Sequence, residues 1–513
     1  MIRASVSSFR ALALLLVILT LPRAATAQPG ELRGLDATIE RAMRDWGVPG
    51  VAVAVVKDGK VVHARGYGVR ELGKPERVDE RTIFAIGSSS KAFTAAALAM
   101  LVDEGRISWD DRVVDRLPGF QLYDPYVTRE IRIRDLLSHS SGLPRGDRLW
   151  YASDFDRAEV LRRVRFLRPA WSFRSRYGYQ NIMFLAAGQI IPEVTGKSWD
   201  EFVAERIFAP LGMRESSTST TELRGRSNVA TPHVKLDGVV RPVAWRNIDN
   251  IGPAGSINSN AIEMAQWVRL QLDEGMYDGR RLISAQQIRE MHAPQIVMPM
   301  DDQTRELYPE THFMAYGLAW FLRDYRGRKL VGHGGAIDGM RAEVMLVPEE
   351  ELGIVVLTNL GGTSFPVAIV YTILDRYLGP RDKDWSALLL EQQKATEARA
   401  AERWRQREEQ RARGTSPSLP LAAYAGTYAD SLYGQVRITA EGDRLVARAG
   451  SNITGDLEHW HHDTFLARWR DPVLGRTFFT FRLSADGRVE AVAVEGLAEF
   501  GRVRESSAAS RSR

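Results

Sequence analysis

Cysteine is missing altogether from the 513 residues of this chain. Its absence rules out disulfide staples, thiolate nucleophiles and cysteine-ligated zinc, and leaves the redox compartment unread. A charge imbalance is missing too: 69 basic against 64 acidic residues leave a formal net charge of +5, spread along the chain. Such a spread excess gives no electrostatic footprint for nucleic acid, and no nucleic-acid partner is expected. Long apolar runs are lacking after the first segment, so nothing downstream is expected to span a bilayer. What is there is globular: 44% hydrophobic and 26% charged residues, in a length that calls for two or more domains.

The first segment carries Arg3 and Arg10, an apolar run over residues 11–22 and small residues at Ala25-Thr26-Ala27 before Gln28. This pattern predicts a cleaved secretory signal over residues 1–27 and a periplasmic or secreted product. An uncleaved membrane anchor is the alternative, and a lipoprotein anchor is excluded because no cysteine follows the run.

Leu35, Ile39, Ala42 and Met43 recur at helical spacing, and the two apolar runs flanking Asp58-Gly59 read as a hairpin. Lys91 to Glu104 reads as a helix stopped at Gly105, and residues 181–193 as a second apolar helix closed near Thr195-Gly196. Glu343 to Val347 and Gly353 to Thr358 read as paired strands, with a further strand at Leu330 to Gly332. Residues from about Asp384 to Arg413 read as a long solvated helix with acid–base neighbours such as Glu409 and Arg413, broken by Gly414-Thr415-Ser416-Pro417-Ser418. Beyond it, Gln435–Thr439, Arg444–Ala449, Thr477–Leu483 and Val489–Val494 read as short strands of a small closed barrel.

Three pieces could carry chemistry. In Phe84-Ala85-Ile86-Gly87-Ser88-Ser89-Ser90-Lys91 the serine Ser88 and Lys91 share a helix face. At a helix start the Ser88 oxygen sits near the positive end of the dipole, and Lys91 can stabilise or accept its proton. The apolar helix that follows should bury Lys91 and lower its pKa. The plainer reading is an N-cap followed by a solvated lysine. In Tyr177-Gly178-Tyr179-Gln180-Asn181, Tyr179 can act as base or proton relay and Asn181 can bond lysine and substrate amide. The alternative is a packing tyrosine and a helix cap. In Val331-Gly332-His333-Gly334-Gly335-Ala336, glycines let substrate backbone approach closely, and a backbone N–H can complete an oxyanion hole with that of Ser88. The alternative is a tight strand end.

In this order the three pieces resemble the serine β-lactamases of class C and the related DD-peptidases, D-aminopeptidases and esterases. Ile133 to Pro144 and Gly252-Pro253-Ala254-Gly255-Ser256 also resemble that family, so the likeness spans roughly residues 32–378. It implies an α+β fold: a β-lactamase/transpeptidase-like antiparallel sheet flanked by helices, with an all-helical region, over residues 28–380. It implies an acyl-enzyme on Ser88, proton traffic shared by Lys91 and Tyr179, substrate orientation by Asn181, His333 and Gly335, and an oxyanion hole from the backbone N–H groups of Ser88 and Ala336. No metal or cofactor is implied. Which of Lys91 and Tyr179 is the base stays open. Histidine at 333 and glycine at 334 depart from the β-lactamase pattern, where lysine and a hydroxyl residue stand, and weaken a β-lactamase activity.

Residues 381–416 then read as a helical linker, 417–505 as a barrel and 506–513 as a disordered tail. The tail domain resembles the lipocalin-like domain of some peptidases of this family, with Leu421–Tyr428 as its opening and Leu457–Phe465 as its central strand. His459 and His461 would share a strand face there, which makes metal binding conceivable beside the plainer structural role. The expected partners are small-molecule or short-peptide substrates, D-amino-acid peptides among them, and a second copy of the chain through the barrel. A carboxylesterase and a non-catalytic sensor of wall fragments or antibiotics are the rival readings.

Overall fold

The computed structural model describes residues 30–504. The signal over residues 1–27 and the tail over 506–513 lie outside the described residues. Helix α1 (Leu35–Trp46) buries Leu35, Ile39, Ala42 and Met43, the four positions that its periodicity selects. The hairpin of β1 (Gly50–Lys57) and β2 (Lys60–Gly68) turns at Asp58 (φ 52°) and Gly59 (φ 70°). Two successive left-handed residues match the twist of the strands they join.

Six later strands complete the sheet: β3 (Ile296–Met298), β4 (Met314–Tyr316), β5 (Phe321–Tyr325), β6 (Arg328–Ile337), β7 (Met340–Val347) and β8 (Leu352–Thr358). Their spatial order is β2-β1-β8-β7-β6-β5-β4-β3, with every neighbour antiparallel. Both faces are buried. Ala52, Ala54 and Val56 of β1 enter the front core, while Val51, Val53 and Val55 enter the rear core with α1. The period of two thus feeds two hydrophobic layers from one strand.

Between β2 and β3 the chain builds the helical region around α2 (Ser90–Asp103) and α3 (Asn181–Thr195), and α4 (Ala261–Leu272) covers the front of the sheet. Alanine-rich α2 is buried on all sides, which suits a central helix. The rear face is covered by α5 (Phe365–Tyr377) and by the first turns of α6 (Trp385–Glu409). Those turns depart from the expected solvated helix. Trp385 and Leu389 are buried, and the Trp385 Nε1–H donates to Asp375 Oδ2 at 2.6 Å. Glu409 pairs with Arg405, because the helix ends before Arg413 is reached.

The C-terminal strands β9 (Gly426–Asp430), β10 (Gly434–Glu441), β11 (Arg444–Ala449), β12 (Ile453–His461), β13 (Thr464–Trp469), β14 (Arg476–Leu483), β15 (Val489–Val494) and β16 (Ala498–Arg502) close into a barrel in chain order. Its interior is filled by side chains such as Tyr428, Phe465, Phe479, Phe481 and Phe500. The single strand expected over Leu457–Phe465 is two strands turned at His462, which takes φ 46°. A register shift between His459 and His461 breaks their shared face. His459 Nε2 donates to the His462 carbonyl and His461 Nδ1 accepts from the Ala412 N–H, so both rings are used structurally.

The barrel docks on the helical region. Arg163 donates to the carbonyls of Ser431 and Leu432, Ser451 and Asn452 donate to Asp154, and Leu432 joins the front core. Among the described residues no helix is long and apolar enough to cross a membrane.

Candidate active site

A short 3-10 turn, Gly87–Ser89, delivers the chain from the two-residue strand Phe84–Ala85, which pairs with Asn258–Ser259, into α2 and carries Ser88 at its middle. The two serines after it fix the turn: Ser89 Oγ donates to the His333 carbonyl at 3.0 Å, and Ser90 Oγ accepts from the Ile257 N–H at 3.1 Å. Ser88 is left partly exposed at the cleft. One turn on, Lys91 is fully buried, with its Nζ 3.1 Å from Ser88 Oγ, 2.7 Å from Asn181 Oδ1 and 2.7 Å from the Ala254 carbonyl. Burial holds its pKa well below the usual lysine value, with Arg145 adding to the depression and Asp147 opposing it.

The segment 138–144 holds Tyr179 and Asn181 in place. The His139 carbonyl accepts from Gly178, and His139 Nδ1 accepts from the Gln180 N–H at 3.0 Å. Gln180 then caps α3 by accepting from the Ile182 N–H, and its amide donates to the Pro144 carbonyl. Asn181 is oriented at both ends: Oδ1 accepts from Lys91, and Nδ2 donates to Asp147 Oδ1 at 2.8 Å. Asp147 also takes Arg145 at 2.6 Å, and the Arg145 guanidinium lies over the Tyr179 ring at 4.9 Å. Burial raises the Tyr179 phenol, while the Ser88 hydroxyl beside it pulls the other way.

His333, Gly334, Gly335 and Ala336 lie inside β6, which continues to Ile337. They therefore form no strand end. β5 stops at Phe321, opposite Gly332, so residues 333–337 pair with β7 on one side only. Their free edge faces the Ser88 turn. A methyl group on Gly335 would overlap the Ile86 carbonyl oxygen, and one on Gly87 (φ 51°) would lie 2.6 Å from the Ala336 nitrogen. Only glycine permits this apposition, which sets the Ser88 and Ala336 backbones side by side.

His333 departs from a direct polar contact with substrate. It is 2% exposed, its Nδ1 lies 2.6 Å from the Gly334 carbonyl and its Nε2 3.0 Å from the Tyr316 hydroxyl. Burial, then Lys91, lowers its pKa to about 3. Neutral imidazole has one N–H, and a carbonyl can only accept, so Nδ1 donates to Gly334 and Nε2 accepts from Tyr316. Only the ring borders the cleft.

The structure thus gathers Ser88, Lys91, Tyr179, Asn181, His333, Gly335 and Ala336 at one cleft. Arg145, Asp147, His139 and the Ala254 carbonyl escaped sequence reasoning; only Ala254 and His139 lay in segments already singled out. The cleft opens into a groove of about 900 Å³. Val473 of the barrel lines that groove, and Arg246 joins Asp338, next to the glycine strand, to Asp471 of the barrel.

A family profile described as Beta-lactamase matches residues 35–375, and a domain of unknown function (DUF3471) matches residues 410–506. The chain is 30% identical over 485 residues to unguisins hydrolase ungD of Aspergillus violaceofuscus, covering 84% of this chain and 83% of that protein. It is 32% identical over 348 residues to penicillin-binding protein 4 of Amycolatopsis lactamdurans, covering 65% of this chain and 87% of that one. The octameric penicillin-binding protein homologue from Pyrococcus abyssi shares the fold, with a TM-score of 0.61 and 24% identity over 91% of this chain and 99% of that chain.

Proposed function

Because the chain belongs to the beta-lactamase family, whose members are serine hydrolases, we propose that it cleaves amide or ester bonds of small substrates through an acyl-enzyme on Ser88. Small peptides, including those with D-amino acids, are the preferred substrates, in keeping with relatives named for a hydrolase and a penicillin-binding protein. The reading of residues 1–27 as a secretory signal supports a periplasmic or secreted location for this activity.

One observation carries the mechanism: the set of partners around Lys91 Nζ. A neutral amine has two N–H bonds and one lone pair. The Asn181 and Ala254 oxygens can only accept, so they take both N–H bonds and leave the lone pair for the Ser88 hydroxyl. Burial favours that neutral state. Lys91 therefore serves as the general base. As Ser88 Oγ attacks the carbonyl carbon, its proton passes to Lys91 Nζ. The oxyanion forms between the Ser88 and Ala336 N–H groups, which need no reorganisation because glycines 87 and 335 hold them together. Tyr179, beside Ser88 with its phenol protonated, passes a proton to the leaving group and is replenished from Lys91. Water then repeats the sequence to release the acyl group. Neutral His333 and bare Gly334 offer no charge or hydroxyl to a β-lactam carboxylate at that point of the strand, which disfavours a β-lactamase activity.

The test is turnover of p-nitrophenyl esters beside D-alanyl peptides, with Ser88→Ala as control. Turnover of both, lost in Ser88→Ala, is expected. Fast ester turnover without peptide turnover would make the protein a carboxylesterase, and no Ser88-dependent turnover of either would refute the hydrolase mechanism.

A further inference from the structure

Lys91 can take the Ser88 proton only if the Asn181 amide faces one way. With Oδ1 2.7 Å from Lys91 Nζ, the amine gives an N–H to Asn181 and keeps its lone pair for Ser88. Flipped, the same side chain would offer Nδ2–H to the amine, and the lone pair would accept that hydrogen in place of the hydroxyl proton. The two ends of a primary amide are nearly equal in size, so packing cannot choose between them. The Ala254 carbonyl cannot choose either, because it contacts the amine and not the amide.

The choice falls to Asp147. Its carboxylate accepts from three side-chain donors: Asn181 Nδ2 at 2.8 Å and Trp150 Nε1 at 3.0 Å on Oδ1, and Arg145 Nε at 2.6 Å on Oδ2. A carboxylate cannot donate, so only the Nδ2 end of Asn181 can face it. A flipped amide would set Asn181 Oδ1 against Asp147 Oδ1 with no hydrogen between them. The carboxylate is itself fixed in place. Gly146 takes φ 61° and leads into the 3-10 turn Asp147–Leu149, where the Asp147 carbonyl accepts from the Trp150 and Tyr151 N–H groups. Buried Leu149 and Trp150 anchor that turn in the interior.

Charge alone would make Asp147 a hindrance. Burial lowers the Lys91 pKa, while Asp147 raises it and Arg145 offsets that rise. An anion there favours the ammonium, the wrong state for a base, so its benefit is directional. Resting on the acyl-serine reading above, we infer that Asp147 is a positioning residue of this reaction: by accepting from Asn181 Nδ2 it turns Oδ1 towards Lys91 and leaves the amine's lone pair to Ser88.

The test is the rate at which a fluorophosphonate modifies Ser88 of the full-length protein at pH 7, read by mass spectrometry, with folding checked by circular dichroism. In that reaction the Ser88 Oγ–P bond forms, fluoride leaves and the hydroxyl proton passes to Lys91. Asp147→Ala should slow it by about ten- to a hundredfold, no more than the loss of a general base. Asp147→Asn should stay within about threefold of the unmodified protein. Its oxygen can still accept from Asn181 and Trp150, and its amide then faces Arg145, which is exposed enough to turn into water. In Asn181→Ala there is no amide to orient, so adding Asp147→Ala should slow the reaction less than about twofold further. Asp147→Ser takes the place of Asp147→Ala if the alanine variant does not fold. Three results would each overturn the positioning role and leave the hydrolase standing: Asp147→Ala at the unmodified rate, Asp147→Asn as slow as Asp147→Ala, or an Asp147→Ala loss undiminished in the Asn181→Ala background. A folded native sequence whose Ser88 does not react would refute the hydrolase reading, and the positioning role with it.

Discussion

In the N-terminal sheet β5 stops at Phe321 and leaves residues 333–337 of β6 paired on one side only, whereas every barrel strand from 426 to 502 has a neighbour on both sides. The two sheets have the same number of strands and opposite interiors. The barrel fills its inside with aromatic and aliphatic side chains. The open sheet keeps a gap beside the glycine strand and surrounds it with a buried lysine, buried histidines and an unpartnered arginine nitrogen. Closure abolishes the strand edge; interruption supplies an edge along which chemistry can be arranged.

The sharpest way to break this comparison is to add the same methyl group to a glycine in each sheet. In Gly335→Ala the methyl meets the Ile86 carbonyl, so the Ser88 and Ala336 N–H groups separate. Turnover of p-nitrophenyl acetate should fall by about 10²–10³, as for loss of an oxyanion-hole donor, with a stability loss of about 1–3 kcal/mol. Gly501→Ala in β16 meets nothing within 4 Å and needs no left-handed backbone. It should leave activity intact and alter stability by no more than about 0.5 kcal/mol. Equal effects at the two positions would erase the distinction.

Acid should separate the halves next. His139, His292 and His333 are buried in the N-terminal half with pKa values lowered by burial, to about 3 for His292 and His333. A histidine unfolded at about 6.5 binds more protons than the buried ring in this window, so stability rises with pH there. The stabilisation is complete above about pH 6.5 and is lost as pH falls towards 3, at about 1.4 kcal/mol per histidine for each pH unit. The barrel histidines 459, 461 and 462 are partly or wholly exposed. Hydrogen exchange read by mass spectrometry should show β6 to β8 losing protection at higher pH than β9 to β16; the reverse order would contradict the account.

The smallest effect belongs to the seam. Asp471→Asn removes one of two carboxylates on Arg246 and leaves Asp338 in place. It should shift KM two- to threefold, about 0.5 kcal/mol, with kcat unmoved. A tenfold fall in kcat would instead give the barrel a part in the chemistry.

Local periodicity made much of this fold legible. The hairpin at Asp58-Gly59, α2 stopped at Gly105 and the strands at Arg444–Ala449 and Val489–Val494 follow from residue types alone. The turn at His462 was illegible because a left-handed residue there carries no glycine to announce it. At the site, the spacing of Ser88 and Lys91 could be read, as could the pairing of Tyr179 and Asn181. Arg145 and Asp147 could not, because the site residues they orient, Tyr179 and Asn181, each lie 34 residues further along the chain. His333 shows a further limit: residue type offered a cleft ligand, and burial turned both nitrogens inward.

The central claim is that Lys91, whose charged form burial disfavours, takes the proton of Ser88. Its most direct test is the rate at which a fluorophosphonate modifies Ser88 at pH 7, read by mass spectrometry in the unmodified protein and in folded Lys91→Ala. The account predicts a single adduct on the peptide bearing Ser88 and a loss of rate of about 10²–10⁴ in the variant. An unmodified Ser88 in the folded protein, or equal rates with and without the amine, would contradict it.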